Sequence, residues 1–214
     1  RLIFIGTKGE VASKKEKHQS NASLLIEDKE RLLIDYGHDE KVPLRALKPD
    51  YIAITHAHPD HIAGVDELRK KLNAIYLIHK LDEEFFSDPS NLIEFRMMGF
   101  SENPKADKVF EEGDKIIFGK EELQIIHTPG HSPGSSCFYS PKNKIIFTGD
   151  TLFVEAVGRA DLPGGNFFQM MESIKNKLLT LPEDTLIYPG HDYGPKPVST
   201  IGEEKVNNPF LQEI

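Results

Sequence analysis

The sequence predicts a mixed α/β fold in which two β-sheets pack together with helices outside. Three observations carry this: short β-branched runs recur between turn signals, two longer stretches show helical spacing, and neighbouring runs are joined by hairpin-like turns. The expected strands are Leu2–Ile5, 23–26, 31–34, 51–54, 74–78, Lys115–Phe118, 123–126, 135–139, 145–148 and 185–188. Residues 27–30 and 141–144 are polar and turn-forming, which makes the strands on either side antiparallel hairpins. A helix is expected over 62–72, where Ile62, Val65, Leu68 and Leu72 share a face, and another over 167–179, where Phe167, Met170, Met171, Ile174, Leu178 and Leu179 do. Further helices are expected over 88–98 and, before Asn208-Pro209, over 201–206. Residues 8–20 read as an exposed polar loop.

At 214 residues with 38% hydrophobic content the chain is expected to fold as one domain, residues 1–214, and disorder is excluded as its main state. Its net charge of −8 argues against a nucleic-acid-binding surface. No apolar run approaches the roughly 20 residues of a membrane span. The single cysteine, Cys137, excludes an internal disulfide and fits a reducing compartment, the cytoplasm by default; in its strand it reads as a small buried hydrophobe. A small-molecule substrate is therefore the expected partner.

The histidines are clustered. After the apolar run ending at Ile54 come His56, His58, Asp60 and His61, three imidazoles and a carboxylate within six positions. In an extended loop His56 and His58 can face one metal ion, while Asp60 and His61, turned into the next helix by Pro59, can address a second. Three more donors each follow a glycine at the end of an apolar strand: His131, Asp150 and His191. Five histidines and two carboxylates suit two adjacent ions, with His56, His58 and His131 on the first, Asp60, His61 and His191 on the second, and Asp150 between them. Nitrogen and oxygen donors without thiolate suit zinc, iron or manganese and do not choose between them; two divalent ions are expected, with zinc taken first.

The motif His56-Ala57-His58-Pro59-Asp60-His61 resembles the His-x-His-x-Asp-His signature of the metallo-β-lactamase superfamily. The likeness continues through Gly130-His131-Ser132-Pro133-Gly134, through 148–153, and through Pro189-Gly190-His191-Asp192. It implies an αββα sandwich with the metals at one edge. From Gly149 onward the chain looks most like glyoxalase II and its single-domain relatives, and also like the persulfide dioxygenases. Gly158-Arg159-Ala160-Asp161 stands where the larger glyoxalase II enzymes carry a lysine-aromatic pair, and the chain stops within what would be their extra helical domain. The amino end, Phe4-Ile5-Gly6-Thr7 with residues 32–37, looks more like the phosphodiesterase and tRNA-processing branch.

The expected activity is metal-dependent hydrolysis by an activated water, with Asp60 orienting that water and a thioester of the hydroxyacylglutathione kind as substrate. A mononuclear iron persulfide dioxygenase and a phosphodiesterase or RNA-processing enzyme are the alternatives. Arg159 either pairs with Asp161 or holds a substrate carboxylate, and Tyr193 either donates to a substrate oxygen or packs at the chain end. His79 is assigned a surface or sheet-edge role, His127 is set aside in favour of His131, and Phe95, Met97, Met98 and Phe100 are expected to form a small satellite core.

Overall fold

Strand alternation explains the architecture. In a strand successive side chains point to opposite faces, so a run that is apolar at every position must be covered on both sides. The computed structural model describes residues 2–5, 22–27, 29–37, 48–97 and 103–212. The expectations for residues 8–20, His18, His38, Met98 and Phe100 fall outside them.

The first sheet runs in spatial order from β1 (Leu2–Ile5) through β2 (Ala22–Glu27), β3 (Glu30–Ile34), β4 (Tyr51–Ala53) and β5 (Ile75–His79) to β6 (Lys108–Phe110). Strands β1 to β3 are antiparallel neighbours, and β3 to β6 are parallel. The second sheet has the order β14 (Ser199–Thr200), β13 (Leu186–Pro189), β10 (Ile145–Gly149), β9 (Ser136–Ser140), β8 (Glu121–His127) and β7 (Lys115–Phe118). Only β10 and β13 are parallel in it. A small hairpin, β11 (Leu152–Phe153) with β12 (Ala156–Val157), stands apart.

Between the sheets Leu32, Ile34 and Ala53 meet Phe118, Leu123, Ile125, Phe138 and Phe147. The alternate residues Leu33, Ile52 and Ile54 face outward, where they are covered by Val65 and Leu68 of α2 (Val65–Leu72), Phe86 of α3 (Lys80–Ser87) and Phe95 of α4 (Ile93–Met97). On the far side Cys137, Tyr139 and Ile146 are covered by Met170 and Met171 of α5 (Phe167–Ser173), by Ile174 and Leu178 of the π-helical turn that continues it, and by Ile201 of α6 (Ile201–Asn207). The layers are thus helix, sheet, sheet, helix, as expected. Each fully buried Leu, Ile or Phe in these layers contributes about 1.5–3 kcal/mol of transfer free energy.

Several expectations are corrected. The helix expected over 62–72 is two helices, α1 (Pro59–Ile62) and α2, separated at Ala63-Gly64. The helix expected over 88–98 begins only at Ile93, and α3 precedes it where no helix was expected. Strands β6, β11, β12 and β14 were not foreseen, being two or three residues long. Phe95 belongs to the main core rather than a satellite, while Met97 is exposed. Among the described residues no helix is long and apolar enough to cross a membrane.

Strands β3, β4, β5, β8, β10 and β13 all end at the same edge of the sandwich. Ser136 N donates to Thr55 O (2.9 Å) across the two sheets there. The loops leaving these strand ends carry the histidine-rich segments.

Candidate metal centre

The loop after β4 holds His56 and His58, α1 holds Asp60 and His61, and the loops after β8, β10 and β13 hold His131, Asp150 and His191. Residues up to 135 positions apart thereby meet in one place. Glycine makes two of these approaches possible. Gly149 has φ +50°, and a Cβ at Gly190 would strike the Asp150 carboxylate.

All seven expected residues come together as overlapping donor groups. One is His56, His58 and His131; a second is Asp60, His61 and His191; a third is His56, His61 and Asp150; within each, the donor atoms lie within 4.8 Å of one another. His58 Nδ1 and His56 Nε2 lie 2.8 Å and 3.1 Å from His131 Nε2, and His61 Nε2 lies 3.3 Å from His191 Nε2. Asp60 Oδ2 is 3.1 Å from His191 Nε2. The Asp150 carboxylate touches both groups: Oδ1 is 3.3 Å from His61 Nε2, and Oδ2 is 3.4 Å from His191 Nε2 and 3.6 Å from His131 Nε2.

In three of the five histidines a partner on the outer nitrogen fixes which ring atom faces inward. His131 Nδ1 donates to the Arg159 carbonyl (2.6 Å), His61 Nδ1 to Asp35 Oδ2 (2.9 Å), and His56 Nδ1 meets Thr55 Oγ1 (3.1 Å). Donating through Nδ1 leaves a neutral imidazole with its Nε2 lone pair directed into the cluster. Such lone pairs repel at these separations, and a cation between them turns the repulsion into coordination. The buried Asp150 Oδ1, which makes no well-formed hydrogen bond, is a further acceptor facing the same place. The donor set thus fits divalent metal.

Electrostatics divide the cluster. Burial, reinforced by neighbouring imidazoles, pushes the pKa of His56 and His58 well down; burial also lowers that of His131, although Asp150 pulls the other way. For His61 burial opposes protonation, but Asp150, Asp35 and Asp60 win and raise its pKa. His191 is likewise raised to about 9, the Asp150 and Asp60 carboxylates overcoming burial. Burial would lift Asp60, yet His61 and His191 hold it below the usual carboxylate range. The carboxylate-rich half therefore attracts positive charge, which a metal ion would supply in place of protons.

Arg159 makes a bidentate pair with Asp161, Nε to Oδ1 at 2.6 Å and NH2 to Oδ2 at 2.8 Å, and both side chains are exposed. Tyr193 stacks on His191 with ring centroids 4.8 Å apart and meets Phe153 edge-on. Burial, with help from Asp150 and Asp60, pushes its hydroxyl up to about 12, so it stays a donor. His127 lies outside the cluster, stacked on His79 and bonded to the Pro133 carbonyl. Cys137 is buried, and burial raises its thiol to about 12, so it is no nucleophile.

Two residues escaped the sequence reading. Asp35 follows β3 and accepts from Thr55 N (2.7 Å), Thr55 Oγ1 (2.8 Å) and His61. Asp82 on α3 is buried beneath the His56–His58 loop, and burial raises its carboxyl to about 6 against the pull of its hydrogen bonds. A lone aspartate after an apolar strand was the only available signal for Asp35.

The family model described as the metallo-beta-lactamase superfamily matches residues 16–191. The chain belongs to this superfamily. Members of the metallo-beta-lactamase superfamily are metal-dependent hydrolases, in keeping with the donor cluster. The chain is 31% identical over 201 residues to hydroxyacylglutathione hydrolase GloC of Haemophilus influenzae, covering 90% of this chain and 93% of that one. It is 36% identical over 161 residues to the mitochondrial persulfide dioxygenase ETHE1 of Homo sapiens, covering 75% of this chain and 56% of the human protein. Among solved metallo-beta-lactamase folds, TTHA1623 in a di-iron-bound form superposes with a TM-score of 0.78 at 36% identity, covering 92% of this chain and 97% of that one.

Proposed function

We propose that the protein hydrolyses a small thioester of the hydroxyacylglutathione type, using two divalent ions, zinc first and iron as the alternative. The observation that carries the reading is the double donor set: Asp60, His61 and His191 converge as fully as His56, His58 and His131, and Asp150 reaches both. Likeness to GloC along nearly the whole chain supports the substrate class. Localisation in the cytoplasm is proposed with it, on the single buried thiol.

When bound, the ions would supply a water of lowered pKa and polarise the thioester carbonyl. His56, His58 and His131 would hold one ion and Asp60, His61 and His191 the other, with Asp150 shared. Asp60 has the most accessible side chain of the two carboxylates, 28% exposed against 11% for Asp150, so it can reach the attacking water and orient its proton. Its depressed pKa keeps it ionised for that role. The Tyr193 hydroxyl would donate to a substrate oxygen. The Arg159 fork would take a substrate carboxylate only by exchanging Asp161 for it. A departing thiolate needs little acid assistance, which suits a site whose imidazoles are committed as ligands.

The test is to follow free thiol release from a hydroxyacyl thioester of glutathione by zinc-loaded protein. The expected result is turnover abolished by a chelator and restored by zinc, with no oxygen consumed. The second reading, oxidation of a persulfide, is favoured by the identity to ETHE1. Oxygen uptake with glutathione persulfide, and no thioester cleavage, would overturn the first reading in favour of it.

A further inference from the structure

Asp82 is fully buried, yet its oxygens are spent on neither metal donors nor a cation. Oδ2 accepts from Ala57 N (2.9 Å) and from Ser132 Oγ (2.8 Å), and Oδ1 accepts from Gly134 N. Ala57 stands between His56 and His58, and Ser132 follows His131. One carboxylate on α3 therefore ties the donor loop of the first sheet to that of the second.

The contact is closely built. A Cβ on Gly134 would lie 2.6 Å from Asp82 N and 2.7 Å from Asp82 Cγ, so the turn after His131 reaches α3 at a distance only glycine allows. Ser132 is held in turn by Ser135, whose Oγ accepts from Ser132 N (2.9 Å) and lies 2.8 Å from Ser132 Oγ. Burying a carboxylate costs several kcal/mol unless hydrogen bonds offset it, and here they come from both loops at once. Asp35 supplies a different brace, on His61 directly and on His56 through Thr55, and it does not reach His58 or His131.

We infer that Asp82 is a positioning residue that sets the separation between the His56–His58 pair and His131, and so tunes metal affinity at that donor group without touching the metal. The inference rests on the reading that these imidazoles hold an ion. Its signature is selectivity: a device acting on one donor group changes one binding event, whereas a general fold staple changes stability and spares both affinities.

The experiment titrates zinc into metal-stripped wild type, Asp82→Asn and Ser132→Ala, in competition with a chromophoric chelator, and follows thermal unfolding of the same stripped proteins. Asparagine preserves shape but turns an amide donor toward Ala57 N–H or Gly134 N–H. Asp82→Asn is expected to weaken one of the two binding events about tenfold and leave the other within about twofold. Ser132→Ala is expected to weaken the same event by about threefold, and it decides the matter if Asp82→Asn does not fold. In an Asp60→Ala background, where only the His56, His58 and His131 group is intact, the surviving event must be the weakened one. Unchanged zinc affinities together with a lowered unfolding temperature would overturn the inference while leaving the metal reading in place. A wild type that binds no zinc would overturn the metal reading itself.

Discussion

Asp150 and Asp60 look alike in sequence, each a carboxylate among histidines, but they sit differently. Asp150 approaches His61, His191 and His131, spanning both donor groups, whereas Asp60 approaches only His61 and His191. On the proposed two-ion reading, Asp150→Ala is therefore expected to reduce bound metal from two ions toward none, and Asp60→Ala to reduce it by about one. Metal content by mass spectrometry after gel filtration checks this, and equal losses would remove Asp150 from its shared position. That these seven residues would meet was legible because local spacing and strand-end glycines mark them. Asp35 and Asp82 were not, because their partners lie 20 to 52 positions away in the chain and no local pattern distinguishes a buried acceptor from a solvated acid.

Helix α3 shows the same limit one level up. Its start is set by His79, whose Nδ1 accepts from Leu81 N (3.2 Å) while the ring stacks on His127 with centroids 4.1 Å apart. Histidine at the end of an apolar strand carries no helix-start signal comparable to Ser, Thr, Asp or Asn, so α3 went unread. Burial, and then the neighbouring His127, lowers the His79 pKa from 6.5 to about 4. The unfolded chain therefore takes up this proton first, and stability falls as pH drops from about 6.5 through about 4. His79→Asn keeps a cap acceptor but removes the titration. Its unfolding temperature, measured on metal-free protein across that window, is expected to decline less steeply with acid than that of wild type; parallel declines would show that other groups carry the acid sensitivity. The break at Ala63-Gly64 went unread for a related reason, since the apolar spacing of Ile62, Val65 and Leu68 continues across it.

At the scale of the molecule, both sheets meet at the donor cluster, so metal binding and folding are linked. An ion present at a hundred times its dissociation constant stabilises the native state by about 2.7 kcal/mol. For a chain of this size that raises the unfolding temperature by roughly 5–11 °C per ion. Chelation is expected to lower it by that amount or more, and zinc to restore it, as calorimetry of the same sample would show. No shift would mean that the folded protein binds no ion in preference to the unfolded chain.

The two-sheet sandwich, the outer helices and the choice of the seven candidate donors follow from periodicity and motif, both of which act over a few residues. The tertiary structure alone decided what joins distant segments. It paired Asp35 with His61, set Asp82 between two loops, and turned the Arg159 carbonyl onto His131. The physical reason is that side-chain direction along a strand or helix is fixed locally by backbone geometry, whereas a hydrogen bond to a buried carboxylate exists only after both sheets have closed and removed the water that would otherwise satisfy it.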